Sequence, residues 1–114
     1  MPLSKRKDKS GEYNGRHYTE YIDEVKNLKR QGKLDDATAL LLALVDAAEA
    51  EAKAEQWSVA PWYYEQLALI YQGQKDYAAE VGILERYCRQ PRGPKDRLTD
   101  RLQKAQALRD GEKA

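Results

Sequence analysis

The sequence predicts an all-α protein of about five helices: two antiparallel helix–turn–helix repeats followed by a C-terminal capping helix. Three observations predict it. Apolar residues recur at spacings of three and four through most of the chain, and no stretch alternates with a period of two. Ala, Leu, Glu, Lys, Arg and Gln dominate the composition, and all are strong helix formers. Gly and Pro are sparse and fall at specific places, several of them where one periodic segment ends and the next begins.

At 114 residues, one domain with a single core is expected. Residues 1–16 are polar and lysine-rich and contain Gly11, Asn14 and Gly15, which predicts a flexible basic tail ahead of a helical domain over residues 17–110. The first helix is expected over residues 17–31, with Tyr18, Tyr21, Ile22, Val25 and Leu28 inward and Gly32 as its C-cap. The second runs to Gln56, with Ala37, Leu40, Leu41, Leu44, Val45, Ala48 and Ala52 on one face and Asp35 and Asp36 in its first turn, where the helix dipole favours them. Trp57 and Ser58 mark a break. Ser58 is placed to cap the third helix, with Pro61 in its first turn. That helix ends at Gly73 and buries Tyr64, Leu67, Ala68 and Tyr71. The fourth begins near Asp76 and turns Tyr77, Val81, Leu84 and Cys88 inward. Pro91, Gly93 and Pro94 stop it, and Pro94 then opens a fifth helix that buries Leu98, Leu102, Ala105 and Leu108.

The chain repeats itself at a separation of 43 residues. Tyr21 falls on Tyr64, Val25 on Ala68, Leu28 on Tyr71, Leu34 on Tyr77, Leu41 on Leu84 and Leu44 on Tyr87. The unit so repeated is a two-helix hairpin. On these residues the chain resembles the tetratricopeptide repeat family in a degenerate two-repeat form. Residues 61–94 match better, through Tyr64, Leu67, Ala68, Tyr71, the Gln74-Lys75-Asp76-Tyr77 turn, Leu84 and Tyr87. The repeat is longer than the family's, and Glu80 stands where the family prefers alanine. An ordinary five-helix bundle accounts for the same pattern.

The resemblance implies a protein–protein interaction adaptor or scaffold whose leading helices share one side and line a groove for a peptide or protein partner. The implied lining is Thr19, Ile22, Lys26, Lys29 and Arg30 from the first helix, with Trp62, Glu65, Leu69 and Gln72 from the third. Aromatic and arginine anchors dominate binding energy at interfaces, and the basic groups select an acidic, partly apolar partner. A core position for Trp62 and a plain solvated face for the three cations are the competing readings.

Other function classes fit less well. Net charge is +1, with basic ends and an acidic middle. Lys5, Arg6 and Lys7 and the arginines of residues 86–104 could contact nucleic acid, so a small accessory DNA- or RNA-binding factor is the runner-up. The acidic centre counts against it. Self-association into a homo-oligomeric structural protein is a third reading, because two repeats leave a helical face uncovered at each end. Catalysis is not expected. His17 is the only histidine and Cys88 the only cysteine, they lie far apart in sequence, and no glycine-rich phosphate loop occurs. No cofactor or metal is implied. The longest apolar run, residues 37–48, is too short for a bilayer, and no secretory signal is visible, so a cytoplasmic location is the expectation.

Overall fold

A computed structural model describes residues 10–92 and 98–113 of the chain. The Lys5-Arg6-Lys7 cluster, the helix start at Pro94 and Arg97 lie outside those residues. The fold is all-α, with five α-helices among the described residues: α1 (Ile22–Arg30), α2 (Leu34–Glu55), α3 (Pro61–Gly73), α4 (Tyr77–Cys88) and α5 (Thr99–Lys113). The chain divides into two compact units, Met1–Trp57 and Ser58–Ala114.

In the N-terminal unit, the described end of the segment expected to be a flexible tail, from Ser10 on, contributes to a β-hairpin. Strands β1 (Glu12–Tyr13) and β2 (Arg16–His17) pair antiparallel, with Glu12 opposite His17 and Tyr13 opposite Arg16. The turn is Asn14-Gly15, both at positive φ (51° and 82°), as a two-residue type I′ connection requires. The Tyr18 N–H donates to the Gly11 carbonyl (2.9 Å) and continues the pairing. A 3-10 turn over Tyr18–Tyr21 then leads into α1, so the first α-helix starts five residues later than its periodicity suggested. The strands are short enough that no period-two pattern could announce them.

Helix α1 ends in a Schellman motif. Lys33 N–H donates to the Leu28 carbonyl (2.9 Å), Gly32 N–H donates to the Lys29 carbonyl (3.0 Å), and Gly32 takes φ 75°. Helix α2 packs on α1, and Ala37, Leu41, Leu44, Val45 and Ala48 are buried, as are Tyr21 and Val25, while Leu28 and Leu40, also expected inward, are half-buried.

In the C-terminal unit, α4 packs against both α3 and α5. Pro61 opens α3, but Ala60 is its N-cap and makes no side-chain bond, so Ser58 does not cap it. The buried face is Tyr63, Tyr64, Leu67, Ala68 and Ile70, and Tyr71 is only half-buried. Asp76 caps α4, accepting from the Ala79 N–H (3.2 Å). The inward residues of α4 are Glu80, Val81, Ile83, Leu84 and Tyr87. Cys88 and Tyr77, expected inward, are only half-buried, whereas Tyr87 meets Tyr64 edge-on with ring centroids 5.2 Å apart. On α5, Leu98 at its entry and Ala105 are buried, whereas Leu108 is exposed.

The two hairpins agree in register. Helices α1 and α3 end at Arg30 and Gly73, and α2 and α4 begin at Leu34 and Tyr77, each pair 43 residues apart. The left-handed C-cap position recurs too. Lys75, at φ 60°, occupies the place of Gly32, with Lys75 N–H donating to the Gln72 carbonyl (3.0 Å) and Asp76 N–H to the Tyr71 carbonyl (2.9 Å). The same bonding therefore closes both turns, although only the first has the glycine that makes it cheap.

Candidate functional site

The nine residues expected to line a groove divide between the units. Thr19, Ile22, Lys26, Lys29 and Arg30 belong to the N-terminal unit, and Trp62, Glu65, Leu69 and Gln72 to the C-terminal one. In the N-terminal unit, Thr19 lies in the 3-10 turn and its hydroxyl is 2.8 Å from His17 Nδ1. Lys26 and Arg30 are exposed, while Ile22 and Lys29 are half-buried. The Arg30 guanidinium donates to the Asn27 side-chain oxygen, one turn back.

The four α3 residues are spaced three, four and three apart, which puts them on one helical stripe. Trp62 is half-buried and meets Tyr63 edge-on, with centroids 5.0 Å apart. Leu69 is 40% exposed, an apolar side chain on an otherwise polar stripe. Glu65 and Gln72 form one wall of a cleft of about 300 Å³ whose remaining lining is Leu98, Asp100, Arg101 and Lys104. Helix α5 was expected to present a polar outer side as a cap. Its Arg101 and Lys104, one turn apart, instead face this cleft. Among the described residues neither cation makes an ion pair or side-chain hydrogen bond, so both charges remain available to a ligand. Comparison with protein-family models, curated proteins and solved structures gives no match.

Sequence reasoning marked Glu80, in the C-terminal unit, as a departure from the family's alanine but gave it no role. Glu80 is fully buried (0% exposed), and neither carboxylate oxygen has a hydrogen-bond partner among the described residues. Burial pushes its pKa above the ordinary carboxylate value, and the Arg101 charge partly offsets this. The signal available in the sequence was a carboxylate at a position whose repeat counterpart, Ala37, is apolar and also fully buried.

A second buried carboxylate, Glu51, is partnered. It is 4% exposed, and its Oε2 lies 2.8 Å from His17 Nε2. The Thr19 N–H donates to His17 Nδ1 (3.3 Å), which leaves the hydrogen on Nε2 to face Glu51. This accounts for the lone histidine as the clasp of the hairpin on α2. Among the described residues, no group of three His, Cys, Asp or Glu side chains is placed to hold a metal ion, and no helix is long and apolar enough to cross a membrane.

Proposed function

We propose that this chain is a protein-interaction module that takes an acidic, partly apolar segment of a partner in the α3–α5 cleft of its C-terminal unit. The observation that carries the reading is the pair of cations, Arg101 and Lys104, on a concave surface shared with the carboxylates of Glu65 and Asp100, with the exposed Leu69 on the same stripe of α3 as Glu65 and Gln72. A cleft of about 300 Å³ has room for one or two side chains of a bound segment rather than for a large cofactor. Arg101 supplies a planar, two-pronged donor to a carboxylate, and Lys104 adds a second positive charge. The exposed Leu69 and the half-buried Trp62, on the same stripe of α3 as Glu65 and Gln72, supply area for an apolar residue of the partner. The proposed adaptor role needs no chemistry beyond burial and charge pairing.

The test is a fluorescence-anisotropy titration of the full chain against a labelled Asp-Leu-Glu-Glu-Leu-Asp peptide. Saturable binding is expected. It should weaken with added salt and lose at least about tenfold in affinity in the Arg101→Glu/Lys104→Glu variant, equivalent to roughly 1.4 kcal/mol. Absence of saturation in the unmodified chain, or equal binding by the variant, overturns the reading.

A further inference from the structure

The position of Glu80 has no structural explanation. In the first hairpin the same register position is Ala37, buried and apolar, so the two-helix unit closes without a carboxylate there. At Glu80 the chain instead places an ionisable group at 0% exposure with both oxygens unpartnered among the described residues. A buried carboxylate without a hydrogen-bond donor is among the more destabilising single features a helix can carry. It stands in the first turn of α4, where the helix dipole relieves a fraction of that penalty.

The charges around it narrow its role. Among the described side chains, the elements packed against one another in this unit carry Glu65 on α3, Asp76 at the N-cap of α4, Glu85 and Arg86 on α4, and Asp100, Arg101, Lys104, Arg109 and Asp110 on α5. Among the described residues, the one whose charge acts on Glu80 is Arg101. Arg101 is also a wall of the cleft, and it forms no ion pair or hydrogen bond there. One guanidinium thus stands between two anionic claims: Glu80 from within the unit and a ligand from the cleft.

We propose that the proton on Glu80 sets the cleft's grip on a carboxylate. With Glu80 protonated, Arg101 is free to pair with the bound segment. With Glu80 ionised, the guanidinium is drawn inward, the cleft loses positive charge, and the segment is held less tightly. By linkage, binding of an anion takes up a proton at Glu80. This inference rests on the reading of the cleft as a site for an acidic segment and adds a proton-linked control to it.

The same peptide titration is carried out at about pH 5.5 and about pH 8, where the peptide's own side-chain carboxylates are ionised throughout. Affinity of the unmodified chain is expected to fall roughly fivefold or more from the lower to the higher pH. Glu80→Gln, and Glu80→Ala as the residue of the first hairpin, are expected to remove that dependence and to bind at the higher pH as tightly as at the lower. In parallel, the Glu80 side-chain carboxyl carbon is titrated by NMR in the unmodified chain and in Arg101→Met, where loss of the guanidinium should move its midpoint upward. Parallel pH profiles for the unmodified chain and Glu80→Gln overturn the inference and leave the peptide reading standing. An affinity that rises with pH, or an unmoved NMR midpoint, also overturns it. No binding by any chain at either pH overturns the peptide reading, and the inference falls with it.

Discussion

His17 Nε2 and Glu51 Oε2 stand 2.8 Å apart, joining the β-hairpin to the last turns of α2. The pair explains how a two-strand ribbon with only two residues in each strand holds its place, since such a hairpin is marginal on its own. Three further interactions assist it. Tyr21 Oη donates to the Tyr13 carbonyl (2.5 Å), the Arg16 guanidinium lies 4.2 Å over the Tyr21 ring, and Arg16 Nη1 reaches Glu24 Oε1 at 2.8 Å.

Breaking the clasp should therefore release the hairpin before it unfolds the helices. His17→Ala takes a hydrogen bond from a nearly buried carboxylate and is expected to cost about 1–3 kcal/mol. Hydrogen exchange should report the loss first at the Tyr18 amide, whose acceptor is the Gly11 carbonyl. Unchanged protection there would show that the hairpin is held by something else.

Gly11 gives an independent test of the same docking. A Cβ at this position would lie 2.5 Å from Glu51 Oε2 and 2.9 Å from His17 Nε2. The atoms it meets are the ends of two side chains already bonded to each other, so neither can yield without parting the pair. Gly11→Ala is expected to destabilise by about 1–3 kcal/mol in urea unfolding, as overpacking does. The double variant Gly11→Ala/His17→Ala should cost less than the sum of the two.

The two C-cap positions predict opposite responses. Lys75 adopts φ 60° without glycine's freedom, so Lys75→Gly is expected to stabilise by about 0.5–1 kcal/mol. Gly32 takes φ 75° at the same register, and Gly32→Ala should destabilise by about 1–2 kcal/mol even though its Cβ would meet nothing within 4 Å. Thermal unfolding resolves both, because about 1 kcal/mol moves the midpoint by several degrees at this size.

Helix starts offer a paired control. Asp76→Ala removes the side-chain acceptor for the Ala79 N–H and should cost about 1 kcal/mol. Ser58 is exposed and caps nothing, so Ser58→Ala should stay within about 0.5 kcal/mol of the unmodified chain.

Glu80 predicts how stability varies with pH. Its folded-state pKa lies above the 4.5 of an ordinary carboxylate, so the folded chain binds more protons than the unfolded one between those two values. Across that window its contribution to stability falls as pH rises. Glu80→Gln should therefore exceed the unmodified chain in stability at about pH 8, and the gap should close toward about pH 4.5, as urea unfolding at the two pH values would show. A gap that widens on acidification would contradict the burial of an unpartnered carboxylate.

How much was legible beforehand follows from the range of each interaction. Helices α2, α3 and α4 were readable because a period of 3.6 over a dozen residues is a strong local signal, and the 43-residue repeat fixed their turns to within a residue or two. The hairpin was missed although Asn14-Gly15 is its standard turn dipeptide, because four strand residues carry no pattern and a lysine-rich context argued for disorder. Of the nine expected site residues, Glu65 and Gln72 do line a cleft. Their companions there include Arg101 and Lys104, from a helix whose Arg- and Lys-rich side was read as the outer face of a cap, because periodicity tells which residues share a face but not which neighbour that face meets.

The sequence by itself determined the helical class, the doubled hairpin and most of the apolar faces, all of which depend on residues within one or two turns of each other. Only tertiary structure decided that His17 clasps Glu51 across 34 positions, that Arg101 lines a cleft, and that Glu80 is buried without a hydrogen-bond partner among the described residues. Such outcomes depend on which surfaces of separate elements come together. The free energy of a buried charge is set by that enclosure, not by the residues beside it in the chain.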